Sequence, residues 1–208
     1  MRNPIRFHGL STLLCLTALL AWAATPVAGQ ESTTRGWNLG VHLQGAALSV
    51  QDGDSDGGGG GGVRIGYGFN RIFTAYFEMD GIAVDSEGSE EVQATWTLGH
   101  VDLGARFHFA NTLRSWVPYL DVAVGGRFAG LKDFTVEDTE YPDAEISGGA
   151  FSFGGGIYFY FSQTFSMDIG VKFSGGEFTD VKVGNLTAGG FDIDASSTRF
   201  KVGVVWWP

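Results

Sequence analysis

Cysteine is nearly missing: the 208 residues hold one, Cys15, within an apolar N-terminal run. If that run is a removed leader, the exported chain has no thiol, which excludes disulfides, cysteine-ligated metals and a cysteine nucleophile. Basic residues are also scarce, 13 Lys and Arg against 23 Asp and Glu. A nucleic-acid partner needs a basic footprint, so that class is excluded. There is no apolar run of helix-spanning length, because Leu10–Ala24 is too short. Helical periodicity is lacking too: beyond residue 30 no stretch holds apolar residues at 3.6-residue spacing for three turns. The glycine run Gly57–Gly62 has no Lys-Ser/Thr after it and opens no helix, so it is no phosphate loop.

What is there begins with a leader. Arg2 and Arg6 precede the apolar run, and Val27-Ala28-Gly29 supplies small residues at a cleavage site. Residues 1–29 therefore read as a secretory signal peptide and 30–208 as one domain, with cleavage after Ala23 as the alternative. Leu14 before Cys15 argues against a lipoprotein site, which needs a small residue there. Losing Arg2 and Arg6 leaves 11 bases against 23 acids, a net charge of −12.

The period after residue 30 is two. Trp37, Leu39, Val41 and Leu43 alternate with Asn38, Gly40, His42 and Gln44. The same alternation runs through Val63–Phe69, Phe73–Asp80, Val92–Phe109, Leu120–Phe128, Phe151–Phe161, Phe165–Ser174 and Arg199–Trp206. That makes eight predicted strands. The fourth changes phase near Gly99-His100, where one extra residue predicts a β-bulge. Short links (Asn70-Arg71, Ala110–Trp116, Ser162–Thr164) alternate with long ones at Val50–Gly62, Asp85–Glu91, Leu131–Glu145 and Thr179–Asp194. The long links carry most of the acids, with only Lys132 and Lys182 as bases. Short turns on one side and long polar loops on the other is the layout of an outer-membrane barrel.

The face opposite the aromatics decides between membrane and water. It carries glycine, serine, five acids (Glu78, Asp80, Asp102, Asp121, Asp168) and six bases (Arg64, Arg106, Arg127, Lys172, Arg199, Lys201). In a soluble lipocalin-like barrel those charges would point outward and the rows of Phe inward. In a membrane they must point inward, because a lipid-facing Arg or Lys at midplane costs about 2–4 kcal/mol. The interior of eight strands is only wide enough for side chains, so paired charges would plug it. The expected fold is all-β: an eight-stranded antiparallel up-and-down transmembrane barrel.

Three stretches carry a family likeness: Pro118-Tyr119-Leu120-Asp121-Val122-Ala123-Val124-Gly125, Gly154-Gly155-Gly156-Ile157-Tyr158-Phe159 before a tight turn, and the final alternating strand. With them the chain resembles the small eight-stranded outer-membrane barrels, the OmpA transmembrane domain and OmpX/Ail-type proteins, over nearly all of its exported length. The resemblance implies a monomer in the cell outer membrane, in contact with its lipid and lipopolysaccharide and inserted by the barrel-assembly machinery. Family members usually finish on an aromatic residue, and this chain ends Trp206-Trp207-Pro208. The role it implies is structural or surface-interacting, through acidic extracellular loops. The alternatives are a narrow porin-like solute channel, an outer-membrane lipid-modifying enzyme and a soluble lipocalin-like binding barrel.

Candidate chemistry is sparse. Asp52, Asp54 and Asp56, at alternate positions before Gly57, resemble positions 1, 3 and 5 of a calcium loop, but the twelfth position is Val63 where a bidentate Glu belongs. The expectation is a solvated acidic tip, with weak calcium binding as the alternative, and no other cofactor. Acidic loops could also share the divalent cations that bridge lipopolysaccharide phosphates. His42, His100 and His108 are the exported histidines; all face the predicted lumen, and none has a serine two residues away. His100 with Asp102 reads as an interior hydrogen-bond pair, and no catalytic residue is assigned.

Overall fold

The computed structural model describes residues 34–50, 56–85, 92–109, 115–136, 139–140, 144–183 and 186–208. Nine strands follow one another: β1 (Gly36–Val50), β2 (Asp56–Gly68), β3 (Phe73–Asp85), β4 (Val92–His108), β5 (Trp116–Val136), β6 (Thr139–Glu140), β7 (Ala144–Tyr160), β8 (Phe165–Val183) and β9 (Leu186–Trp206). Successive strands pair antiparallel, except that β7 pairs with β5 past the short β6, and β1 pairs with β9, so the wall closes on itself. The two-residue β6 only extends a ladder at the end of β5, leaving eight strands in the wall. Closure removes every sheet edge, which a strand in lipid requires because its backbone finds no water to bond.

Side-chain chemistry closes the tight hairpins. Asn70 Oδ1 accepts from the backbone N–H of Ile72 at 2.8 Å and of Phe73 at 2.9 Å. Ser162 Oγ accepts from Thr164 N–H at 3.2 Å and Phe165 N–H at 3.0 Å. Such residues bond their own backbone two or three positions on, and so nucleate turns. They mark the short-turn end; the other end is the long-loop end.

The long links are shorter than the sequence suggests. β8 continues to Val183 and β9 begins at Leu186, so most of Thr179–Asp194 is ladder. Gly57–Gly62, read above as part of the long link Val50–Gly62, belongs to β2, paired with Ala47–His42 on one side and, from Gly58, with Val84–Asp80 on the other. A Cβ at Gly60 would run into the Gly81 backbone, so absent side chains let three strands lie close here. The expected bulge at Gly99-His100 is also corrected. There the β3–β4 register runs unbroken through Ile82↔Leu98, Gly81↔Gly99, Asp80↔His100 and Met79↔Val101. The irregularity in β4 lies instead between Gln93 and Thr95.

The apparent slip has another cause. Val101 and Leu103 point outward, but Leu98 points inward and is buried. Hydrophobicity changes face while the backbone keeps its pleat. β3 does the same, with Phe77 and Met79 outward and Ile82 inward; so does β9, with Phe200 and Val202 outward and Ala195 inward. On β8, Phe173 is exposed and Phe178 is buried. The wall thus has two halves. Near the short turns the outside is apolar, with Leu103 63 % and Phe200 55 % exposed. Its aromatic edge includes Trp37, whose ring meets Tyr67 edge-on at 5.3 Å. Near the long loops the exposed outward residues include Glu177, Asp194, Ser196 and Thr198. β5 and β9 have 21 residues each, against the roughly 9–11 a tilted strand needs to cross a bilayer. The long-loop half therefore projects beyond the apolar belt.

On the outer face at the junction, Phe128 lies across Gly99, its neighbour on β4. Any Cβ on Gly99 would collide with the Phe128 ring, so glycine there makes room for an aromatic.

Candidate functional site

The lumen is built in layers because inward residues of successive strands meet at the same height. At the short-turn end Val117, Tyr119, Tyr158, Tyr160, Val205 and Trp207 form a buried cluster. The Trp207 indole N–H donates to Ser166 Oγ at 3.2 Å, tying the last residues of the chain to β8.

Above the aromatics lies a layer of charge. Arg64 bridges Asp168 at 2.9 Å, and Arg106 bridges Asp168 at 3.1 Å and Asp121 at 2.8 Å. The Tyr158 hydroxyl accepts from Arg64 at 2.7 Å and also from Arg106. The Tyr119 hydroxyl donates to the other Asp168 oxygen at 2.6 Å, and the Arg106 guanidinium lies 3.7 Å above the Tyr119 ring centre. Next, Lys172 reaches Glu78 at 2.7 Å and Asp102 at 3.2 Å, and Lys201 reaches the same Glu78 oxygen at 2.7 Å. Arg199 then joins Asp80 at 2.6 Å and Asp102 at 3.3 Å, and donates to Ser174 Oγ at 2.6 Å. Gln44 donates to the second Asp80 oxygen at 3.0 Å.

Small residues make this density possible. A Cβ at Gly156 would meet the Tyr119 hydroxyl at 2.5 Å, so glycine on β7 is what lets that ring cross the lumen. At the long-loop end Ile82, Leu98, Ala129, Phe178 and Ala195 close the layers, flanked by Ala46, Leu48, Ile146 and Ile193.

All five interior acids and six interior bases named from the sequence are buried. Of the histidines, His100 and His108 are buried and His42 is half-buried on the lumen side. His100 does not pair with Asp102 as expected; its Nδ1 stands 3.3 Å from Asp80, while Lys172 and Arg199 hold Asp102. Sequence reasoning missed what lies on the other side: Ser197 Oγ, 3.4 Å from His100 Nε2. Ser197 and Asp80 are far from His100 in sequence, on β9 and β3, so no local spacing could have shown the alignment. The order Ser–His–Asp suits nucleophilic catalysis in kind. In geometry it does not: both gaps exceed a good hydrogen bond, Arg199 and Gln44 hold Asp80, and Ser197 is buried in the lumen.

Asp52 and Asp54 of the calcium-like motif lie outside the described residues, as does the leader 1–29; Asp56 begins β2, its side chain undescribed. Among the described residues no group of three or more His, Cys, Asp or Glu could hold a metal ion.

Known proteins agree with this architecture. The family described as outer membrane protein beta-barrel domain matches residues 12–206. Neisserial surface protein A superposes with a TM-score of 0.60 at 16 % identity, over 82 % of this chain and 96 % of that one. Ail, the attachment invasion locus protein of Yersinia pestis, gives 0.53 at 13 % identity, over 83 % and 99 %. The same protein in complex with the heparin analogue sucrose octasulfate gives 0.55 at 13 % identity, over 83 % and 99 %. Identities this low speak for the fold alone. No curated protein sequence matches the chain. The match over nearly its whole length makes this chain a member of the outer-membrane β-barrel family, resident in the cell outer membrane.

Proposed function

We propose that the protein is a monomeric, non-enzymatic barrel whose work is structural or surface-interacting, done by the acidic links at an extracellular long-loop end. The observation that supports this reading is the filled lumen. Aromatic, charged and apolar layers succeed one another across it, and the buried acids are all in ion pairs. A wall so plugged leaves the outer rim as the surface free to meet a partner. The rim's acids favour divalent cations, and through them lipopolysaccharide phosphates, or a cationic partner. The Yersinia pestis relative was crystallised with a sulfated ligand; the exported chain's net charge of −12 disfavours such a polyanion here.

The test is retention of the purified barrel on lipopolysaccharide-containing vesicles, with calcium and with chelator. A variant with Asp52, Asp54, Glu87, Glu90 and Glu91 changed to Asn or Gln is run beside it. Calcium-dependent retention by the native protein, lost in the variant, is expected; equal retention by both would sink the reading. Calorimetric titration with calcium reads the Asp52–Asp56 motif separately. A channel would show discrete conductance steps in planar bilayers, and a silent membrane is expected.

Ser197, His100 and Asp80 raise one second reading, a lipid hydrolase, which their long gaps and burial speak against. If it is right, Ser197→Ala abolishes lipid A deacylation; the expected result is that neither protein has turnover.

A further inference from the structure

The charges inside the barrel do not balance. Among the described residues six bases and five acids are buried in the lumen, leaving one positive charge over with the histidines neutral. The bridges show which base it is. Arg64, Arg106, Lys172, Arg199 and Lys201 each reach at least one carboxylate, and each of the five acids is taken. Among the described residues Arg127 reaches none. It is 1 % exposed, and its Nε, Nη1 and Nη2 are buried with no hydrogen-bond partner.

Its surroundings give no substitute. Arg127 sits where the polar layer meets the apolar cluster, opposite His100 on β4 and Gly148 on β7. The Phe178 ring lies 4.8 Å from the guanidinium carbon, and the backbone at Gly176 runs close enough that a Cβ there would be 3.1 Å from Nη2. Glu177 and Asp194, on the same stretches of β8 and β9, point out of the wall. A ring face offsets part of the cost of a desolvated cation, but it does not fill the planar fork of donors that a guanidinium presents. Arginine stays protonated at any ordinary pH, so the mismatch cannot be relieved by losing the proton. A buried charge needs a partner, and among the described residues one negative charge is missing.

We propose that Arg127 is the cationic half of an anion-binding site at the long-loop end of the lumen, taking one small monovalent anion, a halide or a carboxylate group. The odd charge in the count and the unfilled guanidinium meet in one residue. The site is independent of what the acidic links bind, so either reading can fail without the other.

The full exported barrel in detergent micelles is melted in chloride, acetate and sulfate at matched ionic strength, beside Arg127→Leu. The expected result is that chloride or acetate raises the native protein's melting temperature by roughly 3–8 °C more than the variant's, while the general stabilisation by sulfate is the same in both. Chloride alone raising it would identify a halide site; acetate raising it as much would identify a carboxylate site. Identical responses of both proteins to chloride and acetate, or a native-over-variant difference largest in sulfate, would overturn the proposal. Crystals of the native barrel soaked in bromide give a readout that needs no variant to fold. An anomalous peak within about 4 Å of the guanidinium is the supporting outcome. A carboxylate of the chain itself on Arg127, with no bromide there, is the contradicting one.

Discussion

The two halves of the barrel use one backbone and opposite chemistry. In the half near the short turns, Leu103, Val122 and Phe200 face outward, and Arg106, Asp121 and Lys172 face inward. In the half near the long loops, Ser196, Thr198 and Glu177 face outward, and Leu98, Ile82 and Phe178 face inward. The first is an inside-out protein suited to lipid, the second an ordinary apolar core in a wall suited to water. Because pairing runs unbroken through the change in β3 and β4, the solvent outside each half, and not the strand, dictates which face is apolar.

Breaking the charged layer should cost most. Arg106→Met leaves Asp121 without its bridge and removes one of two from Asp168, and a loss of about 3–5 kcal/mol is expected by urea unfolding in lipid. Leu98→Ala opens the upper core, and about 3 kcal/mol is expected in the same assay. A milder change sharpens the contrast: an arginine placed outward at Leu103 should cost about 2 kcal/mol, and one at Ser196 under about 1 kcal/mol. Equal costs at the two outward sites would show that both halves face one solvent.

Much of this was legible in the sequence, because period-two alternation records which residues share a face. Eight strands, a polar lumen and the eleven interior charges all follow from it. What misled was reading a change of phase in apolar residues as a change in backbone. At Gly99-His100 the hydrophobic face moves while the pleat continues, and only cross-strand register separates that from a bulge. Gly57–Gly62 misled for a related reason: without side chains it carries no alternation, so its place in β2 comes from its partners. The bridges were out of reach in detail. Arg64 with Asp168, or Arg199 with Asp80, joins positions more than a hundred residues apart that only closure of the wall brings together. Arg127 was visible as an interior base; that it alone among the described interior bases lacks an acid depends on all the other pairings.

The most direct test of the two-halved wall is solvent accessibility along the outer face. Nitroxide labels are placed one at a time at Leu103, Val122 and Phe200, and at Ser196, Thr198 and Glu177, in the barrel reconstituted in lipid vesicles. Collision with dissolved oxygen reports lipid, and collision with a water-soluble nickel complex reports water. The first three sites are expected to answer to oxygen and the last three to nickel. Oxygen dominating at all six, or nickel at Leu103, would contradict the account.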